Sequence, residues 1–366
     1  MKNIRIRLNF NELKFCFQYN INFRLKDLIY FPSSIMKFKR IYIFLLITQF
    51  FLNGCKLDHT SELEDIDFRQ EMRNFVIGLS DEAHTLNPNF IVIPQNGQEL
   101  VTDSGYSDGI PQNDYIQSID ATGREDLYYG YTGDNILTPQ EENTYMLSLC
   151  QICEQHQVEV LTIDYCSSHD KMDHSYMQNQ NHGFISFAAN DRNLRNIPDY
   201  PTQPFQVHSN DVTHISQAKN FLYLINSENY NTKQDFIDAV KQTNYDVIIM
   251  DLYHFEESFT ILEINQLKTK QNGGQRLVIC YMSIGEAEDY RYYWQNSWNT
   301  NKPEWLEPEN PNWPGNYKVR YWMQDWKNII YGNENAYLKK VLNAGFDGVY
   351  LDIIDAFDYF EQNYTN

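Results

Sequence analysis

The sequence predicts an α/β fold, a single (β/α)8 TIM barrel, on three observations. Short β-rich apolar runs alternate with helical patterns from about residue 70 onward, and eight such runs can be counted. Six of the eight end in, or run straight into, carboxylates or amides. A chain of 366 residues is long for an average domain, yet a barrel forms one domain at about 250 residues. Strands alternating with helices imply βαβ units and a mostly parallel sheet. A doubly wound open sheet is the runner-up.

Residues 1–35 stand upstream of a recognisable export signal and are expected to be a mis-called start, with Met36 the true one. In residues 36–55, MKFKRIYIFLLITQFFLNGC, the basic Lys37, Lys39 and Arg40 precede an apolar run from Ile41 to Leu52. That run is too short to span a bilayer as a helix. Leu52-Asn53-Gly54-Cys55 resembles a lipobox, so a lipoprotein signal with Cys55 lipidated is expected, the alternative being an uncleaved anchor. The predicted location is the cell envelope, with membrane contact through the lipid alone. Residues 56–70, polar and acidic, read as a tether, and residues 71–366 as one barrel domain.

Within that domain a helical pattern through MRNFVIGLSDEAHTL precedes the first strand, FIVIPQN (90–96). The next three strands are SIDATGRE (118–125), VEVLTIDY (158–165) and GFISFAAND (183–191). A Pro-rich stretch at 197–205 separates them from FLYLIN (221–226), YDVIIMD (245–251), RLVICYMSIGE (276–286) and FDGVYLDIID (346–355). Cys150-Gln-Ile-Cys153 has zinc-like spacing but no companion pair, so no metal is expected.

Net charge is −20, and the first 54 residues carry nine Lys/Arg against two Asp/Glu, so the acidic excess lies in the domain itself. Such a surface disfavours nucleic acid as a partner and attracts cationic ligands. No Gly-rich phosphate loop is present, which disfavours nucleotide chemistry. Aromatic residues make up 15% of the chain, with 27 Tyr; such rings fill cores, and at a groove they suit sugar faces. All six Trp fall between Trp294 and Trp326, which predicts a folded insertion beside the cleft in which a Trp or two stacks on sugars while the rest pack.

Barrel sites are built at the C-terminal ends of strands. The strand-end set is Gln95, Asn96, Glu125, Asp164, Asp251, Glu286 and Asp352. A ring of carboxylates in an aromatic cleft suits glycosidic bond cleavage, where one carboxyl is protonated and another ionised.

Four segments carry a resemblance: CYMSIGEAEDYRYYWQNSW (280–298), EWLEPENPNWPGNYKVRYWMQDW (304–326), GFDGVYLDIIDAFDYF (345–360) and NPNFIVIPQNGQEL (87–100). Together they resemble the bacterial branch of glycoside hydrolase family 114, from about Met72 to Phe360. The resemblance implies a TIM barrel acting as an endo-α-1,4-polygalactosaminidase, without cofactor. The order of segments departs from the family. Family strands 5–8 (residues 72–196) precede strands 1–4 (residues 215–366), as if circularly permuted, with the old termini joined through Ile197 to Gln217. A fragment of a tandem repeat is the alternative. Permutation predicts that the segment beginning near Met72 resumes in space where Phe360 leaves off.

By the same resemblance Asp352 and Glu125 are the catalytic carboxylates, Asp352 as nucleophile and Glu125 as acid/base. Asp251, Glu286, Asp355, Asn96, Asp164 and Tyr165 are candidates for holding sugar hydroxyls or an ammonium. Arg291 is expected to pair with Glu288 as structure, and Val349, Leu351 and Ile353 to anchor the last strand. The expected partner is a cationic amino-sugar polysaccharide, the protein acting as a monomer; a glycan-binding lipoprotein without turnover is the alternative function.

Overall fold

The computed structural model describes residues 66–364. The lipobox, Cys55 and residues 56–65 of the expected tether lie outside those residues, whereas Phe68–Gln70, also read as tether, belong to the first helix, with Phe68 buried against the domain. Among the described residues, eight strands pair in parallel and alternate with helices, which establishes a mixed α/β fold.

In chain order the parallel strands are β1 (Ile91–Pro94), β2 (Ala121–Glu125), β3 (Glu159–Tyr165), β4 (Ile185–Ala189), β5 (Phe221–Tyr223), β6 (Val247–Asp251), β7 (Leu277–Ser283) and β8 (Gly348–Asp352). Each falls inside the run expected for it. The helices are α1 (Phe68–Leu86), α2 (Asn113–Gln117), α3 (Gln140–Gln155), α4 (His169–His182), α5 (Lys233–Lys241), α6 (Ile261–Leu267), α7 (Gln324–Ile330), α8 (Tyr337–Ala344) and α9 (Ala356–Tyr364). Helix α1 starts because Asp67 caps it, its carboxylate accepting from Gln70 N at 2.9 Å. It stays because Phe68, Met72, Phe75, Val76, Leu79 and Ala83 recur at helical spacing and bury one face.

Five strands form one sheet in the order β1-β8-β7-β6-β5, and three form another, β2-β3-β4. Single parallel bridges link the sheets at both edges, Gln95 to Gly123 and Ser186 to Asn220. In the interior, the Tyr223 and Tyr350 rings meet edge-on at 5.1 Å. Gly123 lets the Tyr350 hydroxyl come close to the β2 backbone, where a Cβ would collide with it.

Ile91–Pro94 pair in register with Gly348–Leu351, and α1 packs on α9. The Phe68 and Phe360 rings lie 5.4 Å apart, Arg69 Nε meets Glu361 Oε1 at 2.8 Å, and the Tyr321 hydroxyl donates to Phe68 O at 2.8 Å. The stretch between β4 and β5 is clasped from below. The fully buried Lys270 ammonium donates to His208 O (3.1 Å), Asn210 O (2.8 Å) and the Asp246 carboxylate (2.8 Å).

Two of the strand ends that differ from expectation bear on the site. β7 stops at Ser283, and Glu286 opens a separate antiparallel strand, Glu286–Glu288, which pairs with Asn316–Val319; that strand pairs in turn with Leu306–Glu309. This three-stranded sheet forms the expected insertion; its connections hold Trp294, Trp298, Trp305 and Trp313, while Trp322 and Trp326 follow it. β8 stops at Asp352 because Ile353 turns out of the strand at φ 59°, an uncommon conformation for a β-branched residue. Ile353 therefore lines the cavity described next instead of anchoring the strand.

Candidate functional site

A cavity of about 460 Å³ opens at the carboxyl ends of the parallel strands. Gln95 and Asn96 follow β1 into it, Glu125 ends β2, Tyr165 ends β3, Asp251 ends β6, Tyr281 comes from β7 and Asp352 from β8. The size is that of a small-ligand site. Convergence follows from parallel pairing, which puts the C-terminal end of every strand on one face.

Asp352 and Glu125 line this one cavity. Asp352 accepts from the Tyr281 hydroxyl through Oδ2 (2.6 Å) and from Ile353 N through Oδ1 (2.8 Å). Burial first, and then the charge of Glu125, push its carboxyl up to about 7. Glu125 accepts from Asn96 Nδ2 through Oε2 at 2.9 Å and from the Tyr165 hydroxyl through Oε1. Asn96 returns the contact, its Oδ1 accepting from Glu125 N at 3.1 Å. It holds φ 62°, a region in which Asn is enriched.

Tyr165 is itself clamped. The Arg192 guanidinium lies 3.8 Å over its ring, and Arg192 is pinned by Asp134 (2.6 Å), Asp126 (3.2 Å) and Gly130 O (2.9 Å). Burial and the Glu125 charge push the Asp126 carboxyl up to about 6.

The other expected ligands divide. Asp251 reaches the cavity, but both its oxygens are taken by Arg291 at 2.8 and 2.7 Å, and Arg291 also pairs with Glu288 at 2.6 Å. A carboxylate so neutralised is cavity wall. Glu286 Oε1 accepts from Asn310 at 2.8 Å and faces Lys318 at 3.4 Å, whereas its buried Oε2 has no partner among the described residues. Asp355 lines the cavity with no hydrogen bond to its carboxylate among the described residues, and burial and then Asp358 push it up to about 6.

Asp164 does not reach the cavity. It is fully buried behind β3, accepting from Tyr128 N (2.7 Å), Tyr129 N (3.1 Å), Ser175 Oγ (2.5 Å) and Asn179 Nδ2 (3.2 Å). Its work is to tie the loop after β2 to α4. Cys150 and Cys153 are buried free thiols, and burial raises both.

Among the tryptophans, Trp326, Trp305 and Trp298 pack in the core, in contact at 4.9 and 5.0 Å. Trp313 is 56% exposed and lines the cavity. Sequence reasoning missed Tyr281, Tyr223 and Arg192. The first two had a signal, since they sit on strands at inward positions of the two-residue alternation; Arg192, just past its strand, had none.

The class shown is that of mixed α/β proteins with a cavity at the carboxyl ends of parallel strands, the place where such folds build their sites. Residues 202–366 match the family model described as glycoside-hydrolase family GH114, so this part of the chain is similar to that family. An uncharacterized protein of Methanocaldococcus jannaschii is 40% identical over 158 residues, 43% of each chain. One of Thermotoga maritima is 54% identical over 84 residues, 23% of this chain and 25% of that one. One of Deinococcus radiodurans is 38% identical over 124 residues, 34% of this chain and 38% of that one. The match thus spans less than half the length of each of these relatives.

Proposed function

We propose that the protein hydrolyses an amino-sugar polysaccharide of the α-1,4-galactosamine type through the Asp352 and Glu125 carboxyls, on a closed (β/α)8 barrel of circularly permuted order. One observation carries the chemistry: the two carboxyls line a single open cavity, and Asp352 is pushed up to about 7 by burial and by Glu125. Two-carboxylate glycosidases need one protonated and one ionised group at the working pH.

In this scheme Asp352 attacks the anomeric carbon as the ionised carboxylate, while the Glu125 carboxyl donates a proton to the leaving oxygen. The Tyr281 hydroxyl favours the ionised form of Asp352 by donating to it. Tyr165 and Asn96 hold Glu125 in place.

The substrate class is supported by charge. Six carboxylates line the cavity against two arginines, and both arginines are already committed to carboxylates. Asp355 remains to accept from an ammonium, and Trp313 offers a face to a sugar ring. The barrel reading is supported by the two edge bridges. Permutation is supported by the β1–β8 register, by the Phe68–Phe360 contact, and by a family match confined to the second half of the chain. The Cys55 lipobox adds lipid anchoring in the cell envelope, which loss of detergent partitioning in Cys55→Ser would check.

The test is release of new reducing ends from α-1,4-linked galactosamine oligomers and from a panel of neutral glycans. Release is expected from the cationic oligomers and is lost in Asp352→Asn and Glu125→Gln. Binding without release by the intact protein would replace this reading with that of a glycan-binding lipoprotein.

A further inference from the structure

Phe255 stands at the tip of a hairpin that pairs Tyr253–His254 with Glu257–Ser258. It is 65% exposed and holds φ 52°. A bulky aromatic is an uncommon occupant of that region, and a turn of this kind favours Gly or Asn. Packing does not explain the choice, because most of the ring faces solvent. The hairpin base is held in place, with His254 Nδ1 and Ser227 Oγ 2.8 Å apart.

The ring lines a second cavity of about 180 Å³, and Tyr290, itself 62% exposed, lies on the boundary between this cavity and the main one. Asn226, Asp251 and Arg291 also line both. At that volume the second cavity is below the roughly 300 Å³ at which small-ligand sites begin. Its continuity with the larger cavity makes it an annex. Trp313 also lines the main cavity, so exposed aromatic faces occur in both parts of one cleft.

We infer that Phe255 and Tyr290 form a separate sugar subsite, occupied by a pyranose ring of the same polymer whose neighbouring unit sits in the main cavity. The apolar C–H face of the ring stacks on Phe255, while its hydroxyls are reached by the polar groups of Asn226, Ser227 and Glu228, which line the same annex. The subsite rests on the hydrolase reading for the identity of the polymer but not for turnover. It makes affinity depend on chain length, with a step at the length that first spans both cavities.

The experiment uses the full chain carrying Asp352→Asn, with and without Phe255→Ala, titrated with α-1,4-linked galactosamine oligomers of increasing length. The parent is expected to gain roughly three- to tenfold in affinity at one length step, as one aromatic contact supplies. Phe255→Ala loses that step, Phe255→Trp keeps it, and the shortest oligomers bind all three alike. Phe255→Gly relieves the backbone and raises Tm while losing the step. An unchanged step in Phe255→Ala overturns the subsite alone. A step that depends on Phe255, found when the protein with Asp352 intact releases no reducing ends from the same oligomers, leaves the subsite standing and overturns the hydrolase reading. Absence of any length dependence in the parent overturns the subsite outright.

Discussion

The Tyr281 hydroxyl donates to Asp352 Oδ2 at 2.6 Å across the adjacent strands β7 and β8. This contact favours the ionised carboxylate against the burial and the Glu125 charge that oppose it. Tyr281→Phe removes the donor and leaves the shape. The acid limb of the rate profile should move to higher pH, and kcat should fall by about ten- to a hundredfold, the worth of one hydrogen bond to a charged group. A pH profile identical to that of the parent would show that Tyr281 only packs.

Asp352→Asn should stabilise the protein at alkaline pH. The folded value of about 7 stands above the ordinary 3.8, so the native state keeps a proton that the unfolded chain has released. Stability from this group is therefore full below about pH 4 and is lost as pH rises through 7. Asn cannot ionise, so the variant should gain on the order of 2 kcal/mol over the parent at pH 8 and little at pH 4. Glu154 (about 7) and Asp126, Asp355 and Asp358 (about 6) are raised by burial with the same sign. Parent Tm should accordingly fall between pH 5 and pH 8, and calorimetry across that range checks both statements.

Lys270→Met should destabilise by about 3 to 5 kcal/mol, because it leaves Asp246 buried beside a broken pair. His208, 2.9 Å from Asp246, compensates only where it is protonated. The same change frees the carbonyls of His208 and Asn210, so limited proteolysis should cut first between residues 204 and 217. Denaturant unfolding and mapping of the first cleavage site decide the matter.

A rearranged chain should fold. Joining residue 364 to residue 66 through a short flexible linker and opening the chain between residues 197 and 217 keeps the β1–β8 pairing and the Phe68–Phe360 contact. Neighbouring ends tolerate such joins. A far-ultraviolet spectrum and Tm close to those of the parent are expected. A chain that aggregates would argue that the present order is needed for folding.

The Asp164 result shows where sequence reading reached its limit. Asp164 and Tyr165 are neighbours on β3, and neighbours on a strand point to opposite faces. Both cannot enter one cavity, so the pleat alone was enough to exclude one of them. Tyr165 faces Glu125, and Asp164 is spent on the backbone of Tyr128 and Tyr129. The Arg291 cluster was legible only in part. Its pairing with Glu288, three residues away, follows from local spacing. Its pairing with Asp251, 40 residues away, does not.

What the sequence determined by itself is what short-range pattern encodes: the eight strands and their helices, the acidic residues at strand ends, and the motifs of the family. Hydrophobic alternation acts over a few residues and survives any rearrangement of the segments. The tertiary structure decided which carboxylates stay available. Asp251 is neutralised by Arg291 and Asp164 is buried in hydrogen bonds, while Asp355 is left at the cavity and Asp352 is raised by burial and then by Glu125. Such pairings depend on distances between side chains far apart in the chain, and burial strengthens them beyond anything composition can indicate.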